Sequence, residues 1–355
     1  MTKITEVELT GLIERYQKSQ SDLGKSIRWL THSATWKGLN LTQELPKFRK
    51  SLSGGMDANF SDAVIINTFR KLETIVPEKF IVEMNESNVG SPRTCQLVTK
   101  GGTTINCDGS DLNQIYIANR IHTLWRSVYE GSPTRILDIG GGYGSLANKL
   151  ARVFPDAKIS LIDTPEANLL QAFYLSSNYS RGQVGYHDNE LFDRKFSIVP
   201  ISSFNQLFSY SWDLIINSAS MQEMEPNVVS DYFNFIHKSI KTGGIFYNLN
   251  SFVAGASGLP YHIARSPYDD RWAFLSSTLS FMKRGYFEIC ALRLNFDNPL
   301  FRRYLKTLPT NNVWREGVWA FKRQPMMLID QLGSTYFKSL WSTLKRLKKN
   351  LMRSK

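Results

Sequence analysis

The chain has 355 residues, of which 42% are hydrophobic and 12% aromatic, so it is long and apolar enough to bury a large core and is not intrinsically disordered. Its net charge is +12, but seven cations and no acid fall within residues 336–355. Because the basic charge is concentrated in this tail, the composition excludes a nucleic-acid-binding face spread over the fold.

Residues 1–110 are predicted to form a helical and irregular cap that packs on the core. Apolar residues at helical spacing predict one helix over Glu6–Gln17 and another over Asp62–Ile75. The polar stretch 83–108, which contains Gly90 and Pro92, is typical of loops. A further helix over Ile115–Tyr129 leads into the next part of the chain.

The stretch 135–150 combines a buried strand, a glycine turn and the start of a helix. The strand contains Asp138, and glycines follow at positions 140, 142 and 144 before the apolar residues of a helix begin. Strand, glycine turn and helix in this order are typical of a nucleotide-binding crossover.

Two acids indicate which nucleotide this crossover binds. Asp138 at the strand end would repel a pyrophosphate but suits a cationic ligand or an amino group, and the next strand ends in Asp163, where an acid binds ribose hydroxyls. Ser145 also stands where a dinucleotide site prefers glycine or alanine. We therefore predict S-adenosylmethionine, with Asp138 near its methionyl end, Gly140, Gly142 and Gly144 beneath it, and Asp163 on its ribose. A dinucleotide cofactor, or glycines that serve packing alone, are the alternatives.

Strands and helices alternate after Asp163, which predicts right-handed crossovers and a doubly wound, mostly parallel seven-stranded α/β sheet. The predicted helices cover 165–178 and 226–239, and the remaining strands cover 158–163, 196–200, 212–217, 245–250, 287–294 and 318–322. The corresponding domain spans 111–325, with an insertion at 251–285 that we expect over the ligand face.

From the first strand to about residue 323, the chain resembles a class I S-adenosylmethionine-dependent methyltransferase. Three stretches, together with 268–272, are similar to its sugar O-methyltransferase subgroup: Asn88–Arg93, Leu137–Gly144 and Asn217–Met224. The resemblance implies a Rossmann-like methyltransferase fold with an N-terminal helical extension. It also implies methylation of a sugar hydroxyl in a surface glycan or its lipid- or nucleotide-linked precursor. Another small hydroxylated metabolite, or a cofactor-binding protein without turnover, are the alternatives.

Candidate catalytic residues follow the fourth strand or lie in the insertion. Asn217 ends that strand beside the expected methyl group, and Glu223 is the first candidate for the base that removes the acceptor proton. Gln222 is a candidate hydroxyl ligand, and His262 is the alternative base. A Glu223 that merely pairs on a helix surface is the competing interpretation.

Other polar residues are candidates for binding. Ser202 follows the third strand, near the expected adenine, and Asp270 and Arg271 are candidate sugar contacts, although they suit a solvated loop equally well. Three cysteines without C-x-x-C spacing indicate neither a disulfide framework nor a zinc site, and no His/Asp cluster has metal-ligand spacing, so we predict no metal.

The C-terminal segment 326–355 is predicted to be a basic amphipathic helix. Within 336–355, apolar residues follow one helical face and cations flank it, a pattern that fits either an anionic membrane surface or the protein's own core. The N-terminus lacks the apolar core of a signal peptide, and no apolar run has the length of a membrane span. We therefore expect a cytoplasmic protein with possible peripheral contact at the inner face of the membrane.

Overall fold

A computed structural model describes residues 4–19, 33–36, 38–52, 60–85, 88–180, 182–186, 191–251, 263, 266–283 and 285–305. The predicted strand at 318–322, the predicted helix at 326–355 and the candidate base His262 lie outside these residues.

The first part of the chain is an extension of helices and one hairpin. Helices α1 to α5 span Glu6–Lys18, Leu41–Glu44, Phe48–Ser51, Asp62–Leu72 and Glu78–Met84. Thr5 begins α1 with a capping box, in which its side chain accepts from the Glu8 amide and the Glu8 side chain accepts from the Thr5 amide. Strands β1 (Cys95–Val98) and β2 (Thr104–Cys107) form an antiparallel hairpin in the stretch predicted as loops.

The centre of the molecule is an eight-stranded sheet. Its strands in chain order are Arg135–Ile139 (β3), Lys158–Asp163 (β4), Val184–Tyr186 (β5), Phe196–Pro200 (β6), Trp212–Ser218 (β7), Ile240–Ser251 (β8), Trp272–Leu279 (β9) and Tyr286–Arg293 (β10). The spatial order is β5-β6-β4-β3-β7-β8-β10-β9. All neighbours up to β8 pair in parallel, whereas β10 pairs antiparallel with both β8 and β9.

The predicted doubly wound, mostly parallel α/β fold is confirmed. Six predicted strands are present, and β5 and β9 are additional. β5 has three residues, too few for a period-2 pattern to be recognised. β9 lies within the predicted insertion 251–285, and it forms the outer strand of the sheet because β10 returns beside β8 and leaves its other edge open to β9.

Helices cover both faces of the sheet. Helices α6 (Gly109–Arg126), α7 (Ser145–Val153) and α8 (Pro165–Asn178) share one apolar core with the N-terminal extension, and α9 (Pro226–Ser239) belongs to a second core. Asp108 begins α6 by accepting from the backbone N–H groups of Ser110 and Asp111, whereas α8 and α9 begin with proline at their first turn. The last described helix is α10 (Phe301–Leu305).

Helix α3 joins the extension to the glycine turn that follows β3. The Arg49 side chain is fully buried, pairs with Asp108 at 2.7 Å and lies over the ring of Tyr143 at 4.8 Å. Phe48 packs edge-on against the same ring at 5.5 Å. The stretch Asn88–Arg93 fits below this helix, because Gly90 (φ +82°) lies against the Phe48 ring and its carbonyl accepts from the Arg49 N–H.

Within the described ranges, no helix is both long enough and apolar enough to cross a lipid bilayer.

Candidate cofactor and acceptor site

A pocket opens at the carboxyl ends of β3, β4 and β7, which is where ligands bind in open parallel sheets. Including its open mouth, it holds about 1030 Å³ of space. Its lining comes from the glycine turn, the ends of these strands, helix α6 and the β9–β10 hairpin, and comprises Gln114, Asp138, Gly140–Tyr143, Ser145, Leu146, Asp163, Thr164, Ser218–Ser220, Glu223, Met224 and Lys283.

The three predicted glycines shape the pocket floor through backbone conformation. Gly140, Gly142 and Gly144 have φ values of +72°, +59° and +95°, in the region that side chains disfavour. Their N–H groups are already bonded within the protein: Gly140 to the Ile162 carbonyl, Gly142 to Asp163, and Gly144 to the Gly141 carbonyl. A Cβ on Gly140 would collide with the Ser220 hydroxyl. These glycines therefore leave space for a ligand and do not donate hydrogen bonds to it.

Asp138 is a buried carboxyl that lines the pocket without a hydrogen-bond partner. It is 1% exposed, and neither of its oxygens accepts a hydrogen bond from the described residues. Burial, and secondarily the neighbouring Asp163, raise the pKa of Asp138 to about 7. An unpartnered buried acid of this kind fits a cationic or ammonium-bearing ligand, which would supply the missing donor.

Asp163 combines support of the glycine turn with access to the pocket. One of its oxygens accepts from the Gly142 N–H at 3.1 Å, and the other accepts from the Thr164 N–H at 2.8 Å. Burial raises the pKa of Asp163 to about 7, and the charges of Glu223 and Glu166 add to this, although the two N–H donors oppose it. The oxygen bonded to Gly142 also accepts from the Gln171 side-chain amide at 3.4 Å. The oxygen bonded to Thr164 therefore keeps a lone pair for a further donor, as a ribose hydroxyl would require.

Asn217 positions the loop after β7 and is itself fully buried. Its Nδ2 donates to the Ile139 carbonyl at 2.8 Å, and its Oδ1 accepts from the Met221 N–H and from the Asn250 side chain. The following Ala219 has a φ of +63°, a strained conformation for an alanine that these bonds stabilise. Residues 218–220, rather than Asn217, therefore form the pocket wall.

The neighbours Gln222 and Glu223 differ in what is available to a ligand. The Gln222 side chain is 3% exposed, donates to the Tyr286 hydroxyl at 2.6 Å and accepts from the Ser251 N–H at 2.7 Å. This amide is thus engaged in the protein interior and does not line the pocket, in contrast to its predicted role as a hydroxyl ligand. Glu223 lines the pocket at the end of a short 3-10 helix, Met221–Glu223.

Three predicted binding residues lie away from the pocket. Ser202 is exposed on the 3-10 helix Ile201–Ser209 after β6. Asp270 and Arg271 precede β9, which runs parallel to β3, so they lie at the opposite edge of the sheet. Their position differs from their predicted role as sugar contacts. The physical reason is the direction of β9, since only its carboxyl end reaches the pocket.

Four residues that the sequence did not single out complete the site. Tyr143 lies in the glycine turn, and Gln171 of α8 supports that turn by donating to the Gly142 carbonyl at 2.9 Å. Gln114 and Lys283 line the pocket from α6 and from the β9–β10 hairpin. Gln114 could have been suspected from the sequence, because its helix α6 comes directly before the first strand of the sheet. Lys283 could not, because its place at the pocket depends on β9, which the sequence did not predict.

Among the described residues, no group of three or more His, Cys, Asp or Glu side chains could hold a metal ion.

Comparison with known sequences gives a match across the same crossover. A family model of an O-methyltransferase domain matches residues 117–206. Two proteins of Carapichea ipecacuanha are each 31% identical over 78 residues, which are 22% of this chain and 20% of theirs: 3-O-methylredipecamine 2-O-methyltransferase IpeOMT3 and cephaeline 6'-O-methyltransferase CiOMT. The chain thus spans about a fifth of the length of these curated relatives.

Solved structures similar to the chain include the pyocyanin biosynthetic protein PhzM, with 13% identity over 51% of this chain and 56% of that chain and a TM-score of 0.36. PigF with SAH has 15% identity over 51% and 58% and a TM-score of 0.33. An O-methyltransferase-like protein from Nostoc punctiforme has 12% identity over 65% and 69% and a TM-score of 0.35.

The family match covers α6 in part, the glycine turn, Asp163, and the strands β5 and β6 that follow it. It agrees with the predicted cofactor, S-adenosylmethionine, and describes an O-methyltransferase domain without reference to a sugar. Residues 117–206 of this chain therefore carry the sequence pattern of an O-methyltransferase domain.

Proposed function

We propose that the protein is an S-adenosylmethionine-dependent O-methyltransferase whose acceptor is a sugar hydroxyl of a surface glycan or its precursor. The observation that carries methyl transfer is the pocket at the carboxyl edge of the sheet, in which Asp138 lacks a hydrogen-bond partner and Asp163 retains accepting capacity. The matched O-methyltransferase domain contains both acids.

The residues present fit this cofactor on the chemistry of their side chains. Asp138 offers a buried negative charge to a cationic ligand, and Asp163 offers acceptors to ribose hydroxyls. Gly140 leaves the floor open where any side chain would collide with Ser220. Bound here, S-adenosylmethionine supplies an electrophilic methyl group on a sulfonium.

Glu223 is the residue to which we assign proton removal. Its carboxylate would take the proton of the acceptor hydroxyl while the oxygen forms its bond to the methyl carbon and the sulfur–carbon bond breaks. The loop 218–220 and Met224 line the pocket beside it and would help hold the acceptor in line, since a displacement of about 1 Å from the reactive geometry can cost a hundredfold in rate.

The sugar is supported by the stretches 88–93, 137–144 and 217–224, which resemble the sugar-methylating subgroup. A second candidate acceptor is another small hydroxylated metabolite, because the two curated relatives are named as O-methyltransferases of 3-O-methylredipecamine and of cephaeline. We place the enzyme in the cytoplasm, where glycan precursors are made. A cofactor-binding protein without turnover is the third possibility.

Labelling separates these three functions. We expect incubation with methyl-labelled S-adenosylmethionine and an extract of glycan precursors to give a labelled sugar, identified by mass spectrometry. Label only in a non-sugar metabolite would favour the second candidate. Binding of the cofactor without any labelled product would favour the third.

Glu223→Gln provides the catalytic test. The amide cannot accept the hydroxyl proton, so we expect turnover to fall about 10²–10⁴-fold while cofactor affinity is retained. Glu225→Gln is the matched control, because Glu225 lies two residues further on, is exposed and does not line the pocket. Parental turnover in Glu223→Gln would remove the assignment and make His262→Ala the next test.

A further inference from the structure

Lys283 is a cation at the mouth of a pocket whose other charged lining groups are carboxyls. The β9–β10 hairpin reaches the pocket because β9 runs parallel to β3, so the carboxyl ends of both strands lie at the same edge of the sheet. Lys283 is half-buried, and no carboxylate of the described residues forms an ion pair with it. The acids that line the same pocket are Asp138, Asp163 and Glu223.

The hairpin holds this lysine in place through two contacts, and one of its partners is itself fixed by a hydrogen bond. The Lys283 Nζ lies 4.4 Å from the centroid of the Tyr286 ring, and its backbone N–H donates to the buried Ser280 hydroxyl at 3.2 Å. The Tyr286 hydroxyl in turn accepts from Gln222. A cation fixed in this way loses little additional freedom when it binds an anion.

The same hairpin is tied to helix α6, which carries the third polar group. The Phe281 N–H donates to the Tyr116 hydroxyl at 3.4 Å, and Gln114 lies two residues earlier on that helix. Gln114 lines the pocket, and its buried Oε1 accepts no hydrogen bond from the described residues. The Asp138 carboxyl is a further unpartnered acceptor of the pocket, as is the Thr164 hydroxyl.

Lys283 has no acid partner among the described residues, and Gln114 and Asp138 are acceptors without donors. Together they complement an α-amino-acid zwitterion, which carries both a carboxylate and an ammonium group. We propose that Lys283 binds the carboxylate of the cofactor's amino-acid end, while Gln114 and Asp138 accept from its ammonium group. This assignment rests on the proposed function, because it takes S-adenosylmethionine as the ligand. It gives the β9–β10 hairpin a role in cofactor binding.

Two probes that differ in the amino-acid end test this assignment by calorimetry. S-adenosylhomocysteine carries that end, whereas 5′-methylthioadenosine lacks it. In Lys283→Met, which keeps an apolar stem against Tyr286, we expect the Kd of S-adenosylhomocysteine to rise about ten- to a hundredfold and the Kd of 5′-methylthioadenosine to stay at the parental value. Lys283→Arg should restore most of the lost affinity.

Lys238→Met is the matched control, since Lys238 is an exposed lysine near the end of α9 and does not line the pocket. We expect it to change neither Kd. Unchanged affinity of Lys283→Met for both probes would overturn the assignment and make an anionic group on the acceptor the remaining partner of Lys283. Equal weakening of both probes would also overturn it, as a general change of pocket shape. Failure of the parent to bind S-adenosylhomocysteine would instead remove the proposed function together with this subsite.

Discussion

Asp138 links ligand binding to the stability of the protein without ligand. Its pKa of about 7 lies well above the value of 3.8 for a free carboxyl, so between about pH 4 and pH 7 the folded state holds a proton that the unfolded state has lost. The free energy of unfolding therefore falls as pH rises through this window, and this contribution is constant above it. The ionised Asp138 carboxylate, which has no hydrogen-bond partner, therefore lowers the stability of the ligand-free protein, and a bound cationic ligand would offset this loss.

Asp138→Asn should accordingly stabilise the ligand-free protein at high pH only. We expect a gain of about 2 kcal/mol in the free energy of unfolding at pH 8 and almost none at pH 4.5, where the parental carboxyl is already neutral. Urea unfolding followed by circular dichroism at the two pH values measures this difference. The same gain at both values would contradict a role for ionisation.

Asp163→Ala should weaken S-adenosylmethionine about ten- to a hundredfold, because hydrogen bonds to a charged group contribute about 1.5–3 kcal/mol. The variant also leaves the Gly142 and Thr164 N–H groups without their acceptor, so part of the loss would come from the glycine turn. Asp156→Ala is the control, since Asp156 is exposed at the opposite edge of the sheet. Calorimetry that gives equal affinities for the two variants would argue against the ribose contact.

Sequence was a good guide to several single residues that lie at or directly after the end of a strand. Asp138, Gly140 and Asp163 could be placed because a parallel strand brings its last residues to one edge. Gln222 was misjudged because its partners, Tyr286 and Ser251, are distant in the chain, and no local pattern reveals that an amide is already bonded.

At the scale of elements, Asn88–Arg93 has a packing role that the sequence did not reveal. Gly90 and Gly102 both have positive φ, +82° and +89°, but a Cβ on Gly90 would collide with the Phe48 ring, whereas nothing lies within 4 Å of one on Gly102. Alanine at Gly102 would therefore introduce backbone strain alone, whereas alanine at Gly90 would introduce the same strain together with a steric collision.

We expect Gly102→Ala to lower the free energy of unfolding by about 1 kcal/mol, for the conformation alone. Gly90→Ala should lower it by about 3 kcal/mol, since overpacking adds a further cost. Denaturant unfolding of both variants checks the difference. Equal losses would mean that Phe48 moves aside freely and that α3 is loosely docked.

Element types were predictable wherever apolar periodicity was long. Helices α8 and α9 begin and end at the predicted residues because proline marks the first turn of each. The β1–β2 hairpin and β9 were missed, since four-residue strands beside glycines look like loops and β9 has mostly polar or partly exposed residues at a sheet edge.

At the scale of the whole molecule, the charge distribution of the sequence predicts a second kind of contact. The segment 336–355 lies outside the described residues, and we propose that it binds an anionic membrane surface through its cations, each of which would contribute about 1 kcal/mol. Full-length protein should sediment with anionic vesicles at low salt, whereas a chain ending at Ser334 should not. Equal sedimentation of the two would leave a tail that is merely basic.

The Arg49 guanidinium contacts residues that belong to two different sides of the pocket. It pairs with Asp108, which begins helix α6, and it lies over Tyr143 in the glycine turn. The boundary near residue 110 is visible in the sequence as the point where strand–helix alternation is about to start, yet the apolar core continues across it from Phe48 to Leu146. Cutting the chain there would expose that core, leave Tyr143 without its cation, and unseat the helix that carries Gln114. The parts of the chain before and after residue 110 would thus have to be expressed and redesigned together, as one cofactor-binding unit.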